Sequence, residues 1–261
     1  MIRLIASDLD DTLLPEGTSD LNPEYFELIR ALHKKGILFT AASGRHYNSM
    51  KRLLAPVKEE LIFLCGNGTC VVRQDRLMDL RELDRELYAE LLQTFHALDP
   101  GIVLVDQPDR SWSDEPDREA LDRLMSGYGL DVLYTEDLAS LEGPVLKIAL
   151  HAAGDAALAA GPVREKFGQR ANVMAAGSKW VDVVPKGTDK GSSLSAIQKQ
   201  LGILPEETMV FGDNENDIGM LKLAGESYAV GNARPSVKEA AAHVIGDMRE
   251  DSVLKVLRSL L

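Results

Sequence analysis

The chain has 261 residues, of which 45% are hydrophobic and 27% are charged. These fractions are close to those of globular domains and exclude a disordered or collagen-like chain. The 41 acidic residues outnumber the 29 basic ones and give a formal net charge of −12, which excludes a protein that coats nucleic acid or binds anionic membranes through a basic surface. The length predicts one large domain or a pair of domains with a substantial core.

Cysteine usage and apolar runs indicate the compartment. The two cysteines, Cys65 and Cys70, cannot build a disulfide framework, and no second pair accompanies them to form a zinc site. The apolar run at the N-terminus is too short for a signal peptide and is ended by acidic residues. No stretch of about 18 apolar residues predicts a transmembrane helix. We therefore expect a cytoplasmic protein that does not interact with membranes.

The first part of the chain alternates between predicted strands and helices. Residues 2–7 form a nearly continuous apolar run that predicts a strand buried on both faces. Asn22 and Pro23 predict the start of a helix that ends at Gly36. Further strands are predicted over residues 37–41 and 61–65, with a helix over residues 47–54 between them.

The pattern changes between residues 83 and 184. Apolar residues recur at helical spacing over residues 83–98, and alanine-rich residues 155–168 predict a second helix. Strands are predicted at residues 102–105 and 145–150, and a strand pair near residues 171–184. Paired strands followed by helices predict an inserted α+β layer.

After residue 190 the alternation resumes. Helices are predicted near residues 190–201, 217–224, 236–241 and 251–260, and strands at residues 209–211 and 228–230. The order predicts an α/β fold with a Rossmann-like, doubly wound parallel sheet. The predicted domains are a core formed by residues 1–82 and 185–261 and an inserted α+β domain formed by residues 83–184.

Two acidic residues, Asp8 and Asp10, directly follow the first predicted strand. Residues two apart on an extended segment face the same side, so the two carboxylates converge at the edge where α/β sheets bind ligands. Their charges repel each other, and a hard divalent cation such as Mg²⁺ would relieve that repulsion. Alone, the pattern is also typical of an acidic turn without a metal.

Three further segments carry groups suited to a phosphorylated ligand. Residues 212–217, Gly-Asp-Asn-Glu-Asn-Asp, follow another predicted strand, although such a segment alone is equally typical of a solvated turn that caps a helix. Residues 43–45, Ser-Gly-Arg, offer a hydroxyl and a guanidinium to an oxyanion. Lys190 opens a predicted helix, where the ammonium and the helix N-terminus both favour phosphate.

Together these segments resemble the four ordered motifs of the haloacid dehalogenase-like (HAD) superfamily of phosphatases. The motifs are Asp8-Leu9-Asp10-Asp11-Thr12, Ser43-Gly44-Arg45, Lys190, and Gly212-Asp213 with Asn216-Asp217. Residues 185–191 and 212–217 make the chain similar to the Cof-type hydrolases of subfamily IIB. Ser43 departs mildly from a motif that often carries threonine, but it keeps the hydroxyl.

Motif spacing places the inserted domain. Only 34 residues separate Asp8 from Ser43, whereas 146 residues separate Ser43 from Lys190. The insertion therefore lies between the second and third motifs, as in family members with a C2 cap, and its α+β pattern is consistent with the C2B type.

The resemblance implies a role for each matched residue. Asp8 would be the nucleophile that becomes an aspartyl phosphate, and Asp10 would be the general acid and then the general base. Asp8, the backbone carbonyl of Asp10, Asp213 and Asp217 would hold Mg²⁺. The residues implied on the phosphate side are Ser43, Gly44, Arg45, Lys190 and Asn216, and Asn67 is a further candidate beside them.

The sequence thus predicts a Mg²⁺-dependent phosphatase that acts on small phosphorylated metabolites, with sugar phosphates favoured. Two alternatives stay open: a sugar phosphomutase on the same scaffold, and a regulator that binds phosphorylated metabolites without catalysis. The predicted partner is a small metabolite rather than nucleic acid or a membrane. The sequence does not indicate the oligomeric state or the residues of the inserted domain that contact the leaving group.

Overall fold

The structure, a computed structural model, describes residues 1–98, 101–176 and 178–261. Its first elements are β1 (Leu4–Ser7), α1 (Glu24–Lys34), β2 (Leu38–Ala42), α2 (Tyr47–Leu53), β3 (Leu61–Cys65), β4 (Cys70–Arg73) and β5 (Arg76–Leu80). The next are α3 (Arg85–Ala97), β6 (Gly101–Asp106), β7 (Ser111–Ser113), α4 (Arg118–Tyr128), β8 (Val132–Tyr134), β9 (Lys147–Ala152), α5 (Ala156–Phe167), β10 (Ala171–Ala176) and β11 (Trp180–Pro185). The last are α6 (Lys190–Leu201), β12 (Thr208–Gly212), α7 (Ile218–Leu223), β13 (Glu226–Ala229), α8 (Pro235–Ala240), β14 (His243–Val244) and α9 (Ser252–Arg258).

The first sheet has eight strands in the order β14-β13-β12-β1-β2-β3-β4-β5. The strands from β14 to β3 run parallel, and β1 lies between β12 and β2. All four residues of β1 are buried, which agrees with the continuous apolar run in the sequence. The carboxyl ends of β1, β2 and β12 therefore lie side by side at one edge of the sheet, where α/β folds bind ligands.

Local sequence signals explain where α1 begins and ends. The Asn22 carboxamide accepts a hydrogen bond from the Glu24 backbone N–H at 3.0 Å, which satisfies one free donor of the first turn. Gly36 has a φ of +79°, a left-handed conformation that glycine adopts without strain and that ends the helix.

Two antiparallel strands, β4 and β5, extend the parallel sheet and were not predicted from the sequence. Their turn residues, Gln74 and Asp75, both have positive φ, as a tight hairpin turn requires. The residues of β5 are half-buried or exposed, so this strand lacks the apolar run by which the other strands were recognised.

The second sheet has six strands in the order β10-β11-β9-β6-β7-β8, all antiparallel except the β7–β8 pair. One face packs against α3 and α5 in a cluster that includes Leu91, Ile148, Phe167 and Val183. On the opposite face, Leu121 of α4 packs in a smaller cluster with Leu104 and Ala149. This mixed α+β layer agrees with the expected architecture, although α4, β7 and β8 were not predicted.

Among the described residues, no helix combines the length and the apolar character needed to cross a membrane.

Candidate active site

The loop after β1 carries the first pair of predicted acids. Asp8 is buried with 6% of its surface exposed. Its backbone N–H donates to the Phe211 carbonyl of β12 at 3.1 Å, so the pairing between β1 and β12 extends to Asp8. Asp11 has a φ of +57°, a turn conformation that aspartate tolerates. The chain therefore turns sharply at Asp11, a few residues after β1 ends at Ser7.

Lys190 is completely buried and joins two of the predicted carboxylates. Its ammonium donates to Asp8 Oδ1 and, at 2.7 Å, to Asp217 Oδ1. Lys190 is the first residue of α6, and Asp189 caps that helix by accepting from the Ser192 backbone N–H. A buried ammonium needs such partners, because an unpaired charge would be costly to desolvate.

Asp213 and Asp217 lie on the loop after β12. Asp213 Oδ1 accepts from the Thr12 hydroxyl at 2.8 Å, and Asp217 Oδ2 accepts from the backbone N–H groups of Asp213 and Asn214 at 3.1 Å each. A Cβ at Gly212 would lie 2.6 Å from the Asp217 Cβ. Glycine at position 212 is therefore what allows Asp217 to fold back against the strand end.

Oxygens of Asp8, Asp213 and Asp217 all lie within 4.8 Å of one another. We call these three aspartates and Lys190 the first-sheet cluster. One ammonium faces three carboxylates, so the ionised cluster carries a net charge of −2. Hard carboxylate oxygens at this spacing are the ligands that Mg²⁺ prefers, and the residues present fit such an ion.

The pKa values reflect burial and repulsion in this cluster. Burial, followed by repulsion from Asp217, raises the pKa of Asp8 well above its ordinary value, although Lys190 opposes the rise. The same two causes raise the pKa of Asp213 to about 7. Burial disfavours the charged form of Lys190, but Asp217 and Asp8 outweigh it and raise its pKa. A divalent cation would stabilise the ionised carboxylates.

Asp10 lies outside the first-sheet cluster and pairs with Arg45. The guanidinium donates from Nε to Asp10 Oδ2 at 2.9 Å and from Nη2 to Asp10 Oδ1 at 2.6 Å, and also to the Thr18 carbonyl. Such a two-point pair fixes the orientation of the carboxylate. Ser43 is buried, and its hydroxyl accepts from the Arg45 backbone N–H at 3.1 Å.

Two asparagines connect the loops of the site. Asn216 Nδ2 donates to Asn67 Oδ1 at 3.0 Å, and Asn67 Nδ2 donates to Asp182 Oδ2 of β11 at 2.6 Å. A Cβ at Gly44 would lie 3.1 Å from Asn67 Nδ2 and 3.3 Å from Asp182 Oδ2. Glycine at position 44 thus permits the close approach of the second sheet to the first.

A cavity of about 120 Å³ lies between the two sheets. The predicted site residues that line it are Asp8, Asp10, Ser43, Gly44, Arg45, Asp213 and Asn216. Lys190 and Asp217 lie behind Asp8 through the contacts given above. The structure therefore brings the four sequence motifs to one place, and the catalytic and binding roles of their residues stay predictions.

The opposite wall of the cavity was not predicted from the sequence. Strand alternation turns the residues of β6, β9 and β11 alternately toward the α3–α5 cluster and toward the cavity. Those that line the cavity are Leu104, Asp106, Lys147, Ala149, Trp180 and Asp182, and Tyr128 and Leu130 join them from α4 and the loop that follows it. Asp106, Lys147 and Asp182, which we call the second-sheet cluster, are all buried.

The second-sheet cluster is held by ion pairs around Lys147. The Lys147 ammonium lies 3.3 Å from Asp106 Oδ2 and 3.4 Å from Asp182 Oδ2, and it donates to the Gly44 carbonyl at 2.7 Å. Burial works to raise the pKa of Asp106, but Lys147, His46 and the Ser111 hydroxyl together lower it. Burial raises the pKa of Asp182, and Lys147 only partly offsets the rise.

Residues 5–257 match the sequence model of the haloacid dehalogenase-like hydrolases. The match covers nearly the whole chain, so the chain belongs to this family. Its relatives include the 5-amino-6-(5-phospho-D-ribitylamino)uracil phosphatase YbjI of Escherichia coli K12, which is 25% identical over 261 residues covering 100% of this chain and 96% of YbjI. The HMP-PP phosphatase of Cronobacter sakazakii is 29% identical, with 98% of this chain and 95% of that protein covered.

Comparison with solved structures also finds relatives that match over the whole chain. A protein of Eubacterium rectale superposes with a TM-score of 0.87 at 33% identity, covering 100% of this chain and 99% of the other. SMU.1108c from Streptococcus mutans UA159 superposes with a TM-score of 0.90 at 25% identity and the same coverage. The predictions of the superfamily, of its fold and of a phosphatase as the enzyme class are confirmed.

Proposed function

We propose that this protein is a Mg²⁺-dependent phosphatase that hydrolyses small phosphomonoesters through an aspartyl phosphate on Asp8. The observation that carries the proposal is the first-sheet cluster beside a cavity that also holds Asp10. One face of that cavity offers a carboxylate nucleophile and excess negative charge, with a buried ammonium behind the nucleophile. A second acid lies two residues along the chain from the nucleophile.

The roles follow from the contacts of each group. Asp8 attacks phosphorus, and Lys190 holds one of its carboxylate oxygens so that the other is directed toward the substrate. Asp10 protonates the leaving alkoxide and then takes a proton from the water that cleaves the aspartyl phosphate. Arg45 orients Asp10 through its two-point contact, and the loop that carries Ser43 and Gly44 contacts the phosphoryl oxygens.

Mg²⁺ would be held by Asp8, Asp213 and the backbone carbonyl of Asp10, with Asp217 in support. When bound, the ion would neutralise charge on the transferring phosphoryl group and on the carboxylates around it. Three aspartates beside one lysine support this ion, because the ionised cluster has a net charge of −2 and its carboxylates offer oxygen ligands.

We further propose that residues 83–184 act as a cap over a core formed by residues 1–82 and 185–261. The contacts of Lys147 with Gly44 and of Asp182 with Asn67 support a closed arrangement in which water is excluded during transfer. Opening would then release the product.

The proposed substrates are small phosphorylated metabolites, including the sugar phosphates favoured by the sequence. The substrate after which YbjI is named, a phosphorylated ribitylamino uracil, supports this class because its phosphate is carried on a sugar-derived chain. No contact in the site requires the alternative of a sugar phosphomutase, or that of a regulator that binds phosphorylated metabolites without catalysis.

The test is phosphate release from a panel of phosphorylated sugars, sugar alcohols and nucleotides, with Mg²⁺ and with a chelator. We expect hydrolysis of at least one ester, and its loss with the chelator. Tight binding without hydrolysis of any ester would support the regulator instead, and isomer formation without phosphate release would support the mutase.

A further inference from the structure

The second-sheet cluster has one unsatisfied group. Asp106 Oδ1 accepts from the Ser111 hydroxyl at 2.6 Å, and Asp106 Oδ2 faces Lys147. Asp182 Oδ2 accepts from Asn67 and faces Lys147 as well. Asp182 Oδ1 is buried and has no hydrogen-bond partner among the described residues.

An unpaired carboxylate oxygen in a buried site is costly. Asp182 is only 2% exposed, so bulk solvent does little to offset that cost. The ammonium of Lys147 is already engaged by two carboxylates and by the Gly44 carbonyl. Asp182 Oδ1 is therefore left without a hydrogen-bond donor from the described part of the chain.

The charge of the cluster defines the donor more closely. Two ionised carboxylates surround one ammonium, which leaves a net charge of −1 in a buried wall of the cavity. A second anionic group on the ligand would be repelled there, and Lys147 already fills the space between the carboxylates that a metal ion would need. A protonated amine, or an amino group, is the complementary ligand chemistry.

The same cavity also reaches Asp8, so one molecule can contact both walls. Trp180 and Tyr128, whose rings meet edge to face with centroids 5.4 Å apart, line the same cavity. A compact leaving group flanked by these rings would carry its phosphate toward Asp8 and its other end toward Asp182.

From this geometry we propose that the second-sheet cluster is a leaving-group subsite for an amino group, in which Asp182 Oδ1 accepts a hydrogen bond from the N–H of the substrate. This inference rests on the proposed phosphatase function and narrows its substrate class to amine-bearing phosphomonoesters. Asp182 is then the residue that determines specificity, while Lys147 and Asp106 position its carboxylate.

The experiment compares esters that differ only in an amine and a hydroxyl. One pair is glucosamine 6-phosphate and glucose 6-phosphate, and the other is pyridoxamine 5′-phosphate and pyridoxine 5′-phosphate. We expect kcat/KM to favour the amine by about tenfold or more in at least one pair, as for a hydrogen bond to a charged group. Hydrolysis of both members of each pair at equal kcat/KM would overturn the inference.

The variant Asp182→Asn tests whether Asp182 causes the preference for the amine. Asn67 and Lys147 are both donors, so the new carboxamide turns its oxygen toward them and its NH₂ toward the cavity. The acceptor becomes a donor, and the preference for the amine should disappear or reverse. The matched control is Asp122→Asn on the exposed side of α4, which should keep the preference. If Asp182→Asn keeps it too, Asp182 is not the determinant.

The wild-type protein alone supplies an independent measurement. Free glucosamine should inhibit hydrolysis competitively at a concentration about tenfold below that needed with glucose, and equal inhibition would contradict the subsite. These outcomes test the amine subsite and not the phosphatase function. The phosphatase function would be contradicted only if no phosphomonoester of the wider panel were hydrolysed with Mg²⁺.

Discussion

Two buried lysines, each between two aspartates, lie on opposite sides of one cavity and differ in what they leave unsatisfied. In the first-sheet cluster a third carboxylate, Asp213, adds to the pair around Lys190. In the second-sheet cluster Asp182 Oδ1, beside Lys147, lacks a hydrogen-bond partner among the residues that the structure describes. The first arrangement suits a divalent cation and phosphoryl transfer, and the second suits a single N–H donor. We propose that similar residues serve catalysis on one side and recognition on the other.

The largest difference is expected when a carboxylate is replaced on each side. Asp8→Asn should lower kcat at least about 10³-fold for every ester, because the nucleophile is lost. Asp182→Asn should change the ranking of esters and leave hydrolysis of some of them measurable. Steady-state kinetics on the same substrates provides the comparison, and full activity of Asp8→Asn with Mg²⁺ would show that Asp8 is not the nucleophile.

Removing either lysine should destabilise the protein. Lys190→Met and Lys147→Met each leave buried carboxylates uncompensated, which typically costs about 3–5 kcal/mol. Mg²⁺ should raise the melting temperature of Lys190→Met by more than that of Lys147→Met, because it binds among three carboxylates that no ammonium offsets in the first variant and at the unchanged first-sheet cluster in the second. Lys255→Met on the exposed face of α9 is the control. An equal rise in the melting temperature of both variants with Mg²⁺ would contradict the claim that Mg²⁺ binds at the first-sheet cluster beside Lys190.

A smaller effect is expected where Arg45 meets Asp10. Arg45→Lys keeps the charge but loses the two-point contact. For alkyl phosphates kcat should fall about tenfold, because Asp10 is no longer held for proton transfer. For 4-nitrophenyl phosphate, whose leaving group needs no proton, the phosphoryl-transfer step should be less affected. Presteady-state release of nitrophenolate measures that step, and an equal loss with both esters would assign Arg45 another role.

The smallest change probes the contact between the two sides. A Cβ at Gly44 would press on Asn67 and Asp182, so Gly44→Ala should raise KM a few-fold with little change in kcat, equivalent to about 1 kcal/mol. Gly154→Ala is the matched control, because a Cβ there meets nothing within 4 Å. An unchanged KM in Gly44→Ala would show that this approach does not matter for binding.

The two sides also differ in how far the sequence predicted them. Asp8, Asp213 and Lys190 each follow or open an element within a recognisable segment, so local pattern and order along the chain sufficed. Asp106 and Asp182 each stand alone in an apolar strand, and only the register of β6, β9 and β11 brings them to Lys147. No local sequence pattern predicts that strand register.

One missed element, α4, did carry signals. Asp117 caps α4 by accepting from the Ala120 backbone N–H, and Gly129 ends that helix with a φ of +60°, so a cap and a terminating glycine were readable in the sequence. The hairpin of β4 and β5 was harder to predict, because its outer strand is not buried. The two-point contact of Arg45 with Asp10 depends on side-chain placement between two loops and had no sequence signal.

The most direct test of the central claim, an aspartyl phosphate on Asp8, is a burst measurement on Asp10→Asn with 4-nitrophenyl phosphate and Mg²⁺. Formation of the intermediate needs no general acid with this leaving group, whereas its hydrolysis needs the base. We expect one nitrophenolate per active site in a rapid phase, a slow phase after it, and acid-stable phosphate on the peptide that contains Asp8. Linear release without protein-bound phosphate, or phosphate on a different residue, would contradict the account.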